Sequence, residues 1–321
     1  MALLRGWGRT LAKRAGRPVA QVQKGSGDPD VARARMAAEA ADWETLRALL
    51  EARPEGGEWT ELLWAAGETA GVETWITGVI ADAPDAALPR LVAGVRYVNW
   101  GWEARTGARA SQVSREQFEV FHERLRKAEK WLYEAAELEP GWASPWYVLQ
   151  ISGRGLEVGQ TVARRRFEAT VRRAPHHAGA HQQQLQQVCA KWSGSHEEMH
   201  AFARAAVFGA PAGTPLGELV ALAHIEQWLD MESGPDGEYI TSPEVVASLN
   251  EAADHSYRHP DFVREGAWLG VLNAFAMAFA LSGEVPAARE CFDAIEGRVS
   301  EFPWQYLDGA DPAAAYRKWA R

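Results

Sequence analysis

Three observations predict an all-α protein built of antiparallel helix hairpins. Apolar residues follow a helical period through almost every segment from Val31 to about Gln305, with no clear alternating strand run. Helix-start signals recur along the chain. Small, aromatic and proline positions return at the spacing of one helix hairpin. The 321 residues, 47% hydrophobic and 24% charged, hold enough apolar material for a sizeable core, which argues against wholesale disorder.

Residues 1–29 read as a basic, flexible tail and linker, and residues 30–321 as one helical-repeat domain. The first 24 residues carry Arg5, Arg9, Lys13, Arg14, Arg17 and Lys24 and no acid; removing these six charges from the net −9 leaves −15 on the remainder. Leu3, Leu4, Trp7 and Leu11 recur at helical spacing, so weak contact of the tail with an anionic membrane surface is one expectation. A solvated tail is the plainer one. Gly25-Ser26-Gly27-Asp28-Pro29 then reads as the linker.

Further along, Ser114 precedes Gln117 and Ser195 precedes Glu198 by three residues, the spacing at which a hydroxyl caps a helix and an amide or acid returns the bond. Ser242 before Pro243 marks another start, since proline lacks the N–H that a first helical turn leaves unpaired. The repeat signal runs through Ala128, Leu132, Ala135 and Pro140, then Ala163, Phe167, Thr170 and Pro175, then Gly194, Met199, Ala203, Ala206 and Pro211. Trp146 and Leu149 fall where the first helix of the next hairpin needs its large apolar pair. Near the C-terminus Leu272, Ala276, Phe279, Gly283, Ala288 and Phe292 repeat the pattern. Residues 215–260 are less regular, and Met231 to Ser242 reads as a Gly/Pro/Asp-rich insertion, cap or binding loop. Small residues where helices touch, a bulky one a turn on and a closing proline mark a tetratricopeptide-like right-handed solenoid, whose stacked hairpins leave a concave face.

The acidic body lacks the basic face a nucleic-acid track requires, so no nucleic-acid partner is expected. Cys189 and Cys291 are too few for a disulfide framework, which points to the reducing cytoplasm. No run of about 18 apolar residues predicts a transmembrane helix, and the N-terminus lacks the apolar stretch of a signal peptide. Phosphate-cradling, dinucleotide-binding and nucleophile-elbow motifs are missing, which moves the common enzyme classes down the order.

Binding candidates come first from Arg96, Asn99, Trp100 and Glu103, which share one helical stripe. An arginine among aromatics and a carboxylate suits a recognition surface; it equally suits an Arg–Glu pair bordering a Trp-filled core. Trp146 and Trp192, among fifteen tryptophans, complete the candidate set.

His196-Glu197-Glu198-Met199-His200 is a formal H-E-x-x-H, in which two histidines on one helix face can hold Zn²⁺ while Glu197 activates a bound water. A third ligand would come from Cys189, expected within ~5 Å of axial rise of His196, or from Glu218, His224 or Glu226. Against this stand the start of the motif directly after Ser195, which gives Glu198 a capping task, and the charge of Glu198 itself, which departs from the metallopeptidase pattern. His176, His177 and His181 read as surface histidines at a polar helix start.

His177-Ala178-Gly179-Ala180-His181 followed by Cys189-Ala190-Lys191-Trp192-Ser193-Gly194-Ser195-His196-Glu197-Glu198-Met199 resembles an uncharacterised, mostly actinobacterial family of tetratricopeptide-like proteins of the domain-of-unknown-function 4034 type. Leu281-Ser282-Gly283, Glu301-Phe302-Pro303-Trp304 and the Ala-rich end are similar to it too. The resemblance covers most of residues 30–321. It implies a helical-repeat fold and an apolar or aromatic residue in place of His200; no activity, substrate or cofactor comes with it.

The leading expectation is therefore a cytoplasmic scaffold, without identifiable catalytic activity, that binds a protein or peptide, a basic one by charge, on an aromatic and acidic concave face. One alternative is a zinc protein or zinc-dependent hydrolase using His196, His200 and Cys189. Another is a small-molecule pocket lined by tryptophans.

Overall fold

The computed structural model describes residues 19–23, 25, 27–106, 112–192, 194–231 and 236–320. The basic stretch over residues 1–18 and the centre of the irregular loop, residues 232–235, lie outside the described residues. Sixteen α-helices, two two-residue strands and short 3₁₀ turns, among them Ala190–Trp192 and Trp304–Tyr306, make up the regular structure among the described residues, so the protein is all-α. No helix there is long and apolar enough to cross a membrane.

After β1 (Gln21–Val22) come α1 (Pro29–Glu39), α2 (Trp43–Glu51), α3 (Thr60–Gly67), α4 (Val72–Asp82), α5 (Ala87–Arg105) and α6 (Arg115–Leu138). The middle of the chain forms α7 (Ser144–Gly155), α8 (Gln160–Val171), α9 (Ala178–Gln187), α10 (His196–Gly209) and α11 (Glu218–Asp230). Short α12 (Asp236–Ile240), then α13 (Pro243–His255), α14 (Trp268–Leu281), α15 (Val285–Ile295), β2 (Arg298–Val299) and α16 (Pro312–Trp319) complete it.

Local chemistry explains several boundaries. Ser114 and Gln117 form a full capping box at the start of α6, each side chain bonding the other's backbone N–H. At α10 the Ser195 hydroxyl accepts from the Glu198 N–H, and at α13 the Ser242 hydroxyl accepts from the Val245 N–H beside Pro243.

The helices form two layers. Packing runs from α1 to α3, α3 to α5, α5 to α7, α7 to α9, α9 to α11 and α11 to α14, while α2, α6, α8, α10 and α15 pair with sequence neighbours. Burial separates the layers physically. Outer α6 buries only the stripe Phe121, Leu125, Ala128, Leu132, Ala135 and Ala136, whereas α7, α11 and α14 are covered on nearly every side. Residues 215–260, expected to be irregular, hold two full helices, α11 and α13, and the departure from regularity narrows to the loop and single turn before Ser242.

Two apolar cores result. One gathers side chains from α1 to α9, including Leu46, Leu62, Leu91, Phe121 and Leu149. The other gathers them from α9 to α16, including Leu185, Leu219, Phe275, Phe279 and Trp304. They meet at α9, whose sequence AGAHQQQLQQ is too rich in amides to continue either core.

Residues 19–23 fall within the stretch assigned from sequence to a tail and linker, yet they lie along the edge of the second core. Gln21 and Val22 pair in parallel with Arg298 and Val299, and Ala20 is buried there. The Gln21 N–H donates to Gly297 O at 2.9 Å and the Gln23 N–H to Val299 O at 2.7 Å. Because α1 begins only six residues after Gln23, the last layer of helices is tied to the first. A strand this short has no alternation to read, so the sequence pattern could not show it.

Candidate functional site

The polar seam at α9 is where charged and aromatic side chains from distant parts of the chain converge. Gln182 and Gln186, one turn apart on α9, donate to Glu218 at 2.7 Å and Glu226 at 2.5 Å on α11. Glu226 is buried and also accepts from Lys191 Nζ at 2.6 Å and the Tyr306 hydroxyl at 2.5 Å. Three donors, one of them charged, satisfy this carboxylate. Glu218 has no cation beside it, and burial raises its pKa to about 8, opposed only by the Gln182 hydrogen bond.

Arg154 is the only charged residue of α7. Its guanidinium carbon lies 5.6 Å from the ring centre of Trp192 and 6.0 Å from that of Trp102, so two indoles flank it. Its side chain sits deep among protein atoms without being sealed from solvent. Burial lowers its pKa to about 10, which leaves it protonated near neutrality. On the same side Trp64 Nε1 donates to the Tyr147 hydroxyl at 3.1 Å, and the Tyr147 ring lies tilted 4.6 Å from that of His177.

The turn that delivers Lys191 and Trp192 is tight. The Trp192 N–H donates to Cys189 O at 3.0 Å and the Gly194 N–H to the same oxygen at 3.1 Å. A Cβ on Gly194 would stand 1.9 Å from the Val188 carbonyl oxygen, so only glycine fits. That approach places Lys191 on Glu226 and Trp192 over Arg154.

Of the residues singled out from sequence, Trp192, Glu218 and Glu226 belong to this constellation. Arg96, Asn99, Trp100 and Glu103 lie elsewhere, where α4, α5 and α6 meet. Arg96 is 1% exposed; its Nε donates to Glu73 at 2.7 Å, and its Nη1 donates to Glu103 at 2.8 Å and to Gly67 O at 3.0 Å. Asn99 donates to Val95 O at 3.2 Å, and the Arg124 guanidinium lies 3.6 Å from the Trp100 ring centre. Glu73 is 14% exposed and Glu103 51%, so most of the pair's value rests with Glu73. Arg96→Met is expected to destabilise the protein by about 3 kcal/mol, because it strands a largely buried carboxylate. Chemical denaturation of the variant checks this, and a change below about 1 kcal/mol would mark the pair as dispensable. Trp146 packs between Tyr133, at 6.2 Å, and Arg173, at 5.5 Å, under the outer layer.

The two histidines of the H-E-x-x-H segment have different partners. His196 Nε2 lies 3.1 Å from Asp230 Oδ2. His200 meets Gln227 Oε1 at 2.8 Å and lies 4.7 Å, ring to ring, from His224. Cys189 donates to Leu185 O at 3.2 Å and burial pushes its thiol up to about 12, so it is a protonated core side chain. Cys189 and His196 do share a void, together with Lys191, Met199, Glu226 and Asp230; its volume is about 10 Å³, the lower limit for one water. Among the described residues no three His, Cys, Asp or Glu side chains are grouped to hold a metal ion.

His177 and His181, expected at the surface, are buried, and only His176 of that cluster is exposed. His177 caps α9, its Nδ1 accepting from the Ala180 N–H at 3.2 Å. Desolvation holds it at about 4, a neutral imidazole. The cause is the position of α9 in the inner layer, which a helix-start pattern does not reveal.

Arg154 and Tyr306 were not recognised from sequence as binding residues, and Glu226 was weighed only as a metal ligand. Two signals were present: an isolated charge in the otherwise uncharged α7, and the Gln182–Gln184 and Gln186–Gln187 amides on a helix that has to pack on two sides. Compared with known proteins, the chain matches no family model and no curated protein sequence.

Proposed function

We propose that this chain is a tetratricopeptide-like right-handed solenoid acting as a cytoplasmic scaffold, related to the domain-of-unknown-function 4034 type family, that holds a peptide segment of a partner protein against its inner helices. The observation that carries the reading is the convergence of Trp102, Arg154, Trp192, Glu226 and Tyr306. They arrive from five separate elements and include half-buried aromatics beside a charge. Aromatic side chains with a flanking cation are the residues that dominate interface energetics. The −15 carried outside the first 24 residues favours basic flanks on the bound segment, mainly through faster association.

The test is selection of short randomised peptides on the immobilised intact chain, followed by sequencing of what is retained. A defined consensus is expected, with retention lowered about tenfold or more by Trp192→Ala, the loss typical of an aromatic anchor. Retention without sequence preference, or a consensus unchanged in the variant, would remove this site from the reading.

A further inference from the structure

Three buried arginines are each paired with a carboxylate, and half-buried Arg154 is not. Arg90 pairs with Glu134 at 3.0 Å, Arg96 with Glu73 at 2.7 Å and Arg166 with Glu129 at 2.7 Å. Arg154 contacts no carboxylate among the described residues, and its buried Nη1 makes no hydrogen bond. Glu226 is near enough for its field to reach Arg154, but Lys191, Gln186 and Tyr306 already hold it. A guanidinium withdrawn from bulk water without a counter-ion is a net cost to folding. The indole faces of Trp102 and Trp192 offset part of that cost. Neither indole accepts a hydrogen bond from the guanidinium edge.

We propose that Arg154 is an anion subsite whose ligand is a carboxylate carried by the bound segment, with Trp102 and Trp192 as the walls that hold the guanidinium in place. The inference rests on the peptide-binding reading and adds one chemical requirement to it. A carboxylate matches the planar fork of arginine with two parallel N–H···O bonds, and the low-dielectric surroundings of Arg154 strengthen that pair relative to one in water. Trp102 Nε1 is a second buried donor without a partner on the same side. Basic flanks and one acidic anchor are compatible, since the anchor answers Arg154 and the flanks answer the wider acidic body.

The experiment exposes the immobilised intact chain to three pools of short randomised peptides. The first is C-terminally amidated with Asp and Glu allowed, the second is amidated without them, and the third lacks them but ends in a free carboxylate. The wild-type protein should retain the first or the third at least about tenfold over the second, the discrimination a bidentate charged pair provides. Which of the two is enriched identifies a side chain or a chain terminus as the source. Arg154→Gln should abolish the difference while leaving weak retention by the aromatics. Equal retention of all three pools overturns the subsite and leaves the peptide reading standing; no retention of any pool overturns both. A second measurement needs no ligand. Arg154→Met should leave the denaturation midpoint unchanged or raise it, because it removes an uncompensated charge, in contrast to Arg96→Met. A fall as large as that of Arg96→Met would show Arg154 to be structural and would overturn the proposal.

Discussion

Replacing Trp304 by alanine is expected to lower stability by about 5 kcal/mol, combining the loss of a large buried side chain with the stranding of its partner. Trp304 is wholly buried, packs edge-on to Tyr316 at 5.5 Å and lies 6.0 Å from Phe292. Its indole N–H donates to Asn273 Oδ1 at 2.7 Å, and Asn273, itself fully buried, donates to Leu269 O at 2.8 Å. Alanine would therefore leave both a cavity and an unsatisfied amide oxygen between α14, α15 and α16. Trp304→Phe separates the two contributions, since it keeps most of the volume and loses the hydrogen bond; a loss of about 1–2 kcal/mol is expected there. Urea denaturation of both variants measures the difference. Equal effects would mean that the hydrogen bond carries nearly everything.

The second large effect depends on pH. Glu218 is buried with its pKa raised from 4.5 to about 8, chiefly by desolvation. A carboxyl whose folded pKa lies above its unfolded value binds its proton more tightly in the folded state. Below pH 4.5 both states are protonated and Glu218 imposes no penalty. As pH rises from 4.5 to about 8 the unfolded chain ionises first, and stability falls by about 1.4 kcal/mol per pH unit. Above the folded pKa the penalty levels off, at an upper bound on the order of 4–5 kcal/mol. Glu218→Gln keeps an acceptor for Gln182 and removes the titration. Its stability relative to wild type should be close to unchanged at pH 4 and should grow to several kcal/mol by pH 9. A difference that stays flat across that range would show that Glu218 is ionised in the folded protein.

How much of this was legible in the sequence follows from whether the cause is local. The caps at Ser114, Ser195 and Ser242 were legible because the bonds they make lie within a few residues. The all-helical class was legible because apolar periodicity records which faces are covered. Membership of the inner or outer layer was not, and so His177 and His181 were expected at the surface although α9 carries them inside. Arg96 and Glu103 looked alike as recognition residues and as an ion pair; Glu73, from a different helix, completes the pair and no spacing rule points to it. Arg154 is the sharpest case, because what distinguishes it is a missing partner, and only the fold shows which carboxylates fail to reach it.

The pairing of Gln21 and Val22 with Arg298 and Val299 also has a consequence for how the chain is made. In a stack of hairpins each unit can dock on the previous one as it leaves the ribosome. Here the first described segment has its partner nearly the whole described chain away. At about 10 residues per second the wait is roughly half a minute. Through that interval Gln21 and Val22 have no strand to pair with and Ala20 no core to enter, and the first helices are complete before the segment preceding them has anywhere to go. The closing step thus spans nearly the whole described chain and waits for every helix but α16, and a nascent chain stalled before Val299 would hold every helix through α15 while β1 remained unpaired.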